Sequence, residues 1–186
     1  MVKKSCMEIQ GKKINGLFEL SPKIFGDSRG FFLESFHASR YAQILGPVNF
    51  VQDNMSSSMK GVLRGLHFQK PPFSQGKLVS VIQGSVLDVA VDLRKNSPTF
   101  GQHETVLLTS DKKNQFWIPE GFAHGFVALE DNTIFCYKCT NYYHPDAEET
   151  ILWNDRTLHI DWQIEDPIIS DKDKKGLIFA DFETPF

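Results

Sequence analysis

The chain has 186 residues, 41% of them hydrophobic and 23% charged, enough to bury a sizeable core without disulfide staples. A formal net charge of -3 and a pI near 6.1 exclude a global pull toward nucleic acid or an anionic membrane, so an anionic ligand must be met by local basic residues. No window approaches the roughly 18 apolar residues of a membrane span, and the opening MVKKSCMEIQ lacks the apolar stretch of a secretory signal, which together predict a cytoplasmic chain.

In chain order, strand patterns fall at 30–36, 50–53 and 62–68. Two β-branched runs follow inside KLVSVIQGSVLDVAVDL, parted at Gln83-Gly84-Ser85, and further strands are expected at 104–108, 114–118, 125–129 and 133–143. Within the second run Leu87, Val89, Val91 and Leu93 alternate with Asp88, Ala90 and Asp92, the period-2 pattern of a half-buried strand. Turn residues such as Ser97-Pro98 and Pro119-Glu120-Gly121 separate the runs. Helical patterns are short and confined to 38–45 and the region 171–176. Many short strands at close spacing, with no repeat or linker, predict one all-β domain over 1–186, a sandwich or barrel with few short helices.

Three cysteines, Cys6, Cys136 and Cys139, are too few and odd in number for a disulfide framework. Cys136 and Cys139 form a C-x-x-C, but a strand through TIFCYKCTNYY sends residues three apart to opposite faces, and no second pair completes a zinc site. The 16 phenylalanines point to a core or pocket lined with aromatic surface.

Polar residues interrupt apolar text in three places. In Gly61-Val62-Leu63-Arg64-Gly65-Leu66-His67-Phe68-Gln69, strict alternation separates Arg64 from His67, unless Gly65 hosts a bulge that re-aims one of them. Ile118-Pro119-Glu120-Gly121-Phe122-Ala123-His124-Gly125-Phe126 carries a Pro-x-Gly-x-x-His that resembles the second motif of the cupin superfamily, a double-stranded β-helix or jelly-roll. The first cupin motif here reads His67-Phe68-Gln69. It lacks a second His and the downstream Glu, while the cation Lys77 lies in that stretch, so no metal is expected. The third place holds Tyr137-Lys138, Tyr142-Tyr143-His144-Pro145 and Glu148. Further on, Ser170 suits the cap of a short helix, with acidic residues in its first turn.

The segments DSRGFFLE at 27–34, QDN at 52–54, GVLRGLHFQ, GKLV at 76–79, DVAVDLRKNSPTFG at 88–101, IPEGFAHGF, YKCTNYY at 137–143, WND at 153–155 and ISDKD at 169–173 together resemble the dTDP-4-dehydrorhamnose 3,5-epimerases. The resemblance runs from Asp27 to Asp173, with the motifs in family order. It departs from the pattern at Arg156 and Gln163, where proline is usual, both outside the chemical motifs.

The resemblance implies a cupin jelly-roll, a homodimer, and an isomerase without cofactors that makes dTDP-4-dehydro-rhamnose for cell-envelope polysaccharide. Its substrate would be a dTDP-4-keto-6-deoxy sugar. It implies His67 as base, Asp173 as the partner of that imidazole and Tyr137 as acid, with Lys77, Arg64 and His124 around the reacting sugar. Arg29, Glu34, Gln52, Asp53, Asn54, Tyr143, Glu148 and Lys172 match positions associated with the nucleotide sugar. The chemistry suits these groups. A C4 ketone acidifies the hydrogens on C3 and C5, histidine titrates near neutral pH, and a lysine beside the C4 oxygen stabilises an enolate. Three alternatives share the text: a mono-epimerase acting at C3 or C5 alone, a metal-dependent cupin oxygenase, and a non-catalytic carbohydrate-binding jelly-roll.

Overall fold

The computed structural model describes residues 7–186, so Cys6 lies outside the described residues. The strands are β1 Met7–Gly11, β2 Phe18–Pro22, β3 Ile24–Asp27, β4 Gly30–Leu33, β5 Gln52–Ser58, β6 Val62–Gln69 and β7 Lys77–Gln83. They continue as β8 Ser85–Asp92, β9 His103–Thr109, β10 Gln115–Ile118, β11 Phe122–Ala128, β12 Thr133–Cys139, β13 Glu148–Thr150 and β14 Ile168–Ile169. One α-helix, α1 Ala38–Leu45, and three short 3-10 turns complete the described elements.

Two sheets carry the architecture, an antiparallel jelly-roll. One has the order β1-β2-β10-β7-β12-β5. The other has β13-β6-β11-β8-β9, with β14 added in parallel to β6. The inner core is built from both: Val79 and Val81 of β7, Phe116 and Ile118 of β10 and Phe135 of β12 face Val86 and Ala90 of β8, Val106 and Leu108 of β9, and Phe122 and Phe126 of β11. A second core lies on the outer face of the β8 sheet, where Leu87, Val89 and Val91 pack beneath the C-terminal segment through Leu158, Trp162 and Phe179. A third lies outside the other sheet, where Tyr41 of α1 covers Leu20, Leu78 and Trp117.

These layers correct one expectation. All eight residues of β8 are buried, because the C-terminal segment covers the face that a two-layer sandwich would leave wet. The alternation of Leu87, Val89 and Val91 with Asp88, Ala90 and Asp92 therefore separates two interiors. Asp92 is satisfied there by Arg94, Ser97 and Thr99, and hydrogen bonds of this kind make a buried carboxylate tenable.

The boundaries also moved in places. The strand expected at 133–143 stops at Cys139, and the one expected at 50–53 runs on through the serine-rich text to Ser58 because it pairs along its whole length with β12. The region 171–176 holds only a 3-10 turn, Asp173–Lys175. Strands β1 to β3, β13 and β14 fall outside the expected strands: β1 and β2 alternate over only five residues each, and β13 and β14 are three and two residues long.

Candidate active site

Between the sheets at one end of the sandwich lies a cleft of about 640 Å³, within the usual range for a small-molecule site. Its walls come from Gln52 and Asn54 of β5, Arg64 and His67 of β6, Lys77 of β7, His124 and Phe126 of β11, and Phe135 and Tyr137 of β12. Tyr143, Glu148, Lys172 and Asp173 close the rim and one side.

Arg64 and His67 reach the same cleft because β6 is bulged. Against β11 the register pairs His67 with His124 and Arg64 with Phe126, so three steps on β6 span two on β11. The extra residue falls at Gly65 and Leu66. Gly65 has φ +134°, and a Cβ there would sit 2.5 Å from the Gly125 Cα, so only glycine allows the two strands to approach at this point.

Two histidine–aspartate pairs occupy adjacent strands. His67 Nε2 lies 2.6 Å from Asp173 Oδ1, and the Gly65 N–H donates to Asp173 Oδ2 at 3.5 Å. Burial pushes the Asp173 carboxyl up, but the His67 bond and charge outweigh it and hold the group below the usual carboxylate range. An ionised Asp173 accepts a hydrogen bond from the His67 Nε2–H, a tautomer that leaves the ring's accepting lone pair on Nδ1. The Asp173 amide in turn donates to Ser170 Oγ at 3.1 Å. The second pair is deeper. His124 Nε2 lies 3.0 Å from both oxygens of Asp88, with His124 at 7% and Asp88 at 0% exposure.

Lys77 is the register partner of Cys139. Burial lowers its ammonium pKa, opposed by Cys139, Glu148 and Asp88. Tyr137, on the same strand face as Cys139, has its phenol pushed up by burial and then by Cys139 and Glu148, so it keeps its proton at neutral pH. Tyr143 has a different setting. It sits half exposed at the rim, its hydroxyl donating to Glu148 Oε2 at 2.8 Å and its amide to Gln52 Oε1 at 2.9 Å. Lys172 also pairs with Glu148. Arg64 is held by Ser58 Oγ at 3.3 Å and the Ser57 carbonyl at 3.4 Å.

Three residues matched to nucleotide-sugar positions lie elsewhere. Asp53 points to the opposite face of β5 from Gln52 and Asn54 and pairs with Lys138 at 2.9 Å. Arg29 sits on the two-stranded β3–β4 hairpin, 88% exposed and paired with Asp27, and Glu34 pairs with Arg40.

A family model described as dTDP-4-dehydrorhamnose 3,5-epimerase matches residues 11–181. The chain belongs to the dTDP-4-dehydrorhamnose 3,5-epimerase family. It is 50% identical over 176 residues to the enzyme of that name from Shigella flexneri, covering 94% of this chain and 97% of the relative. The Escherichia coli K12 enzyme is 53% identical over 171 residues, 91% of this chain and 92% of the relative. Among solved structures, a dTDP-6-deoxy-D-glucose-3,5-epimerase from Legionella pneumophila Philadelphia 1, in complex with dTDP-4-keto-L-rhamnose, superposes with a TM-score of 0.92 at 52% identity and 95% coverage of both chains.

The family motifs account for most of the cleft, and reading them left several of its residues out. Phe126 and Phe135 stack at 4.1 Å between ring centres and form an apolar wall. In sequence they are ordinary strand aromatics. Gln75 also lines the cleft, and Asp88 supports it from behind. Cys136 and Cys139 are free thiols on opposite faces of β12, and among the described residues no group of three or more His, Cys, Asp or Glu is arranged to hold a metal ion.

Proposed function

We propose that this protein is a dTDP-4-dehydrorhamnose 3,5-epimerase, converting dTDP-4-dehydro-6-deoxy-D-glucose to dTDP-4-dehydro-L-rhamnose in the cytoplasm. The observation that carries this reading is the convergence on one cleft of a basic imidazole backed by Asp173, the Lys77 ammonium and the protonated Tyr137 phenol. In the first half-reaction His67 Nδ1 takes the proton from C3 or C5. The C–H electron pair forms a carbon–carbon double bond, and the carbonyl π pair moves onto the C4 oxygen, where Lys77 stabilises the negative charge. Tyr137 then delivers a proton to the opposite face, the C4 carbonyl re-forms, and solvent restores both groups. No electron leaves the substrate, so the chemistry calls for no redox cofactor.

Arg64, Gln52, Asn54, Glu148 and Lys172 are the residues we assign to holding the nucleotide sugar, and the rim position of Tyr143 suits contact with the nucleotide half. Arg29 and Glu34 act on the substrate only if supplied from another copy. Their hairpin exposes Phe31 and Phe32 at 60% and 68%, which favours burial against a partner. A homodimer in which the hairpin of one protomer reaches the partner's cleft reconciles their position with the family match.

The experiment is incubation of the protein with the 4-keto sugar nucleotide in deuterium oxide, following C3 and C5 by NMR. Exchange with inversion at both carbons is expected. Exchange at one carbon would make it a mono-epimerase, and none at either would overturn the enzyme reading.

A further inference from the structure

Asp88 has no part in the reaction as described, yet it is wholly buried and gives both carboxylate oxygens to one ring nitrogen, His124 Nε2, at 3.0 Å each. It shares its face of β8 with Val86 and Ala90, in the apolar layer between the sheets. A carboxylate in such a place costs several kcal/mol, roughly, unless buried partners compensate it. Burial pushes the Asp88 carboxyl up, opposed first by the charge and hydrogen bond of His124 on β11 and then by the charge of Lys77 on β7, and both partners line the cleft.

Resting on the epimerase reading, we propose that Asp88 is a positioning residue: its carboxylate locks His124 in the Nε2–H tautomer and, as buried counter-charge to Lys77, keeps that ammonium available to the developing enolate oxygen. Two histidine–aspartate pairs then divide the work. Asp173 makes His67 a base, and Asp88 organises His124 on the neighbouring strand and Lys77 on the facing sheet without touching substrate. The charged and titratable groups around Lys77 and His124 are Asp88 from β8, Cys139 and Tyr137 from β12, Glu148 from β13 and His67 from β6. Burial drives the Lys77 ammonium toward neutrality, and Cys139, Glu148 and Asp88 oppose that drift. Removing the carboxylate charge therefore moves the loss of the ammonium to lower pH.

The test pairs Asp88→Asn kinetics with nitrogen-15 NMR of the histidine rings. In the native protein the His124 ring is expected as the Nε2–H tautomer, and Asp88→Asn, whose amide can donate or accept, should give a mixture. The variant should lose about 10²-fold in kcat, with KM within about twofold, and its alkaline limb in kcat/KM should shift to lower pH. In a His124→Ala background the same substitution should cost much less, since neighbours acting through one another are not additive. A native Nδ1–H tautomer, an unmoved alkaline limb, or full additivity would overturn the proposal. The ring spectra need no turnover and no variant. They decide the tautomer claim even if Asp88→Asn fails to fold, or if the native protein proves inert on the ketosugar and the epimerase reading itself falls.

Discussion

His67 and His124 are register partners across β6 and β11, and each is held through Nε2 by a different buried aspartate. The two aspartates arrive from unrelated parts of the chain. Asp88 belongs to β8, between β11 and β9, and Asp173 comes from a 3-10 turn 106 residues beyond His67. In the proposed reaction Asp173 acts on the ring that removes the proton.

Asp173→Asn should therefore lower kcat by about 10³- to 10⁴-fold, because an amide no longer enforces the Nε2–H tautomer or stabilises the imidazolium. His67→Ala should abolish exchange at both C3 and C5 while binding of dTDP survives. Hydrogen exchange by NMR and calorimetric titration with dTDP check both. A His67→Ala protein that still exchanges either hydrogen would remove His67 as the base.

Tyr137 and Tyr143 should separate kinetically. Tyr137→Phe is expected to impair net inversion more than the first proton abstraction, since the enolate then lacks its donor. Tyr143→Phe breaks a rim contact to Glu148 and should raise KM severalfold with little change in kcat. Comparing deuterium uptake with product formation for each variant tests the assignment, and equal losses of the two in Tyr137→Phe would count against it.

The pH profile follows from Lys77. Its ammonium pKa is lowered by burial, and in the proposed reaction the cation is the active form. Activity is therefore present below that pKa and lost as pH rises through it, at a value below that of an ordinary lysine. The Tyr137 phenol is shifted upward and should not set this limb. Lys77→Met should reduce kcat by about 10²- to 10³-fold, in line with loss of an oxyanion-stabilising group, and abolish the limb. A limb retained in Lys77→Met would assign it to another group.

If the β3–β4 hairpin acts across a dimer, Arg29→Ala should raise KM in the pure variant. Co-refolding Arg29→Ala with His67→Ala should then restore activity, because a mixed dimer assembles one cleft with an intact His67 and a partner hairpin carrying Arg29. Sedimentation at several concentrations gives the assembly state, and turnover of the mixture gives the complementation. A monomer, or a mixture no more active than its components, would place Arg29 outside the site.

Much of this protein follows from local sequence. The β-branched runs on either side of Gln83-Gly84-Ser85, the helix at 38–45 and the glycine between Arg64 and His67 are short-range signals, and the strands, helix and bulge appear where they lie. The motif text likewise named many residues that line the cleft, but it grouped Asp53 with Gln52 and Asn54, and strand alternation turns Asp53 to the other face. The burial of Asp88 was decided only by tertiary structure. Period-2 text says which residues share a face. Asp88 shares with Val86 and Ala90 the face that meets the opposing sheet, and the distant C-terminal segment covers Leu87, Val89 and Val91 on the other, so neither face of β8 meets water. The same holds for the pairing of Asp173 with His67 and for the remoteness of Arg29 from its own cleft. Sequence periodicity reports local direction, whereas what lies opposite a side chain depends on how distant segments pack.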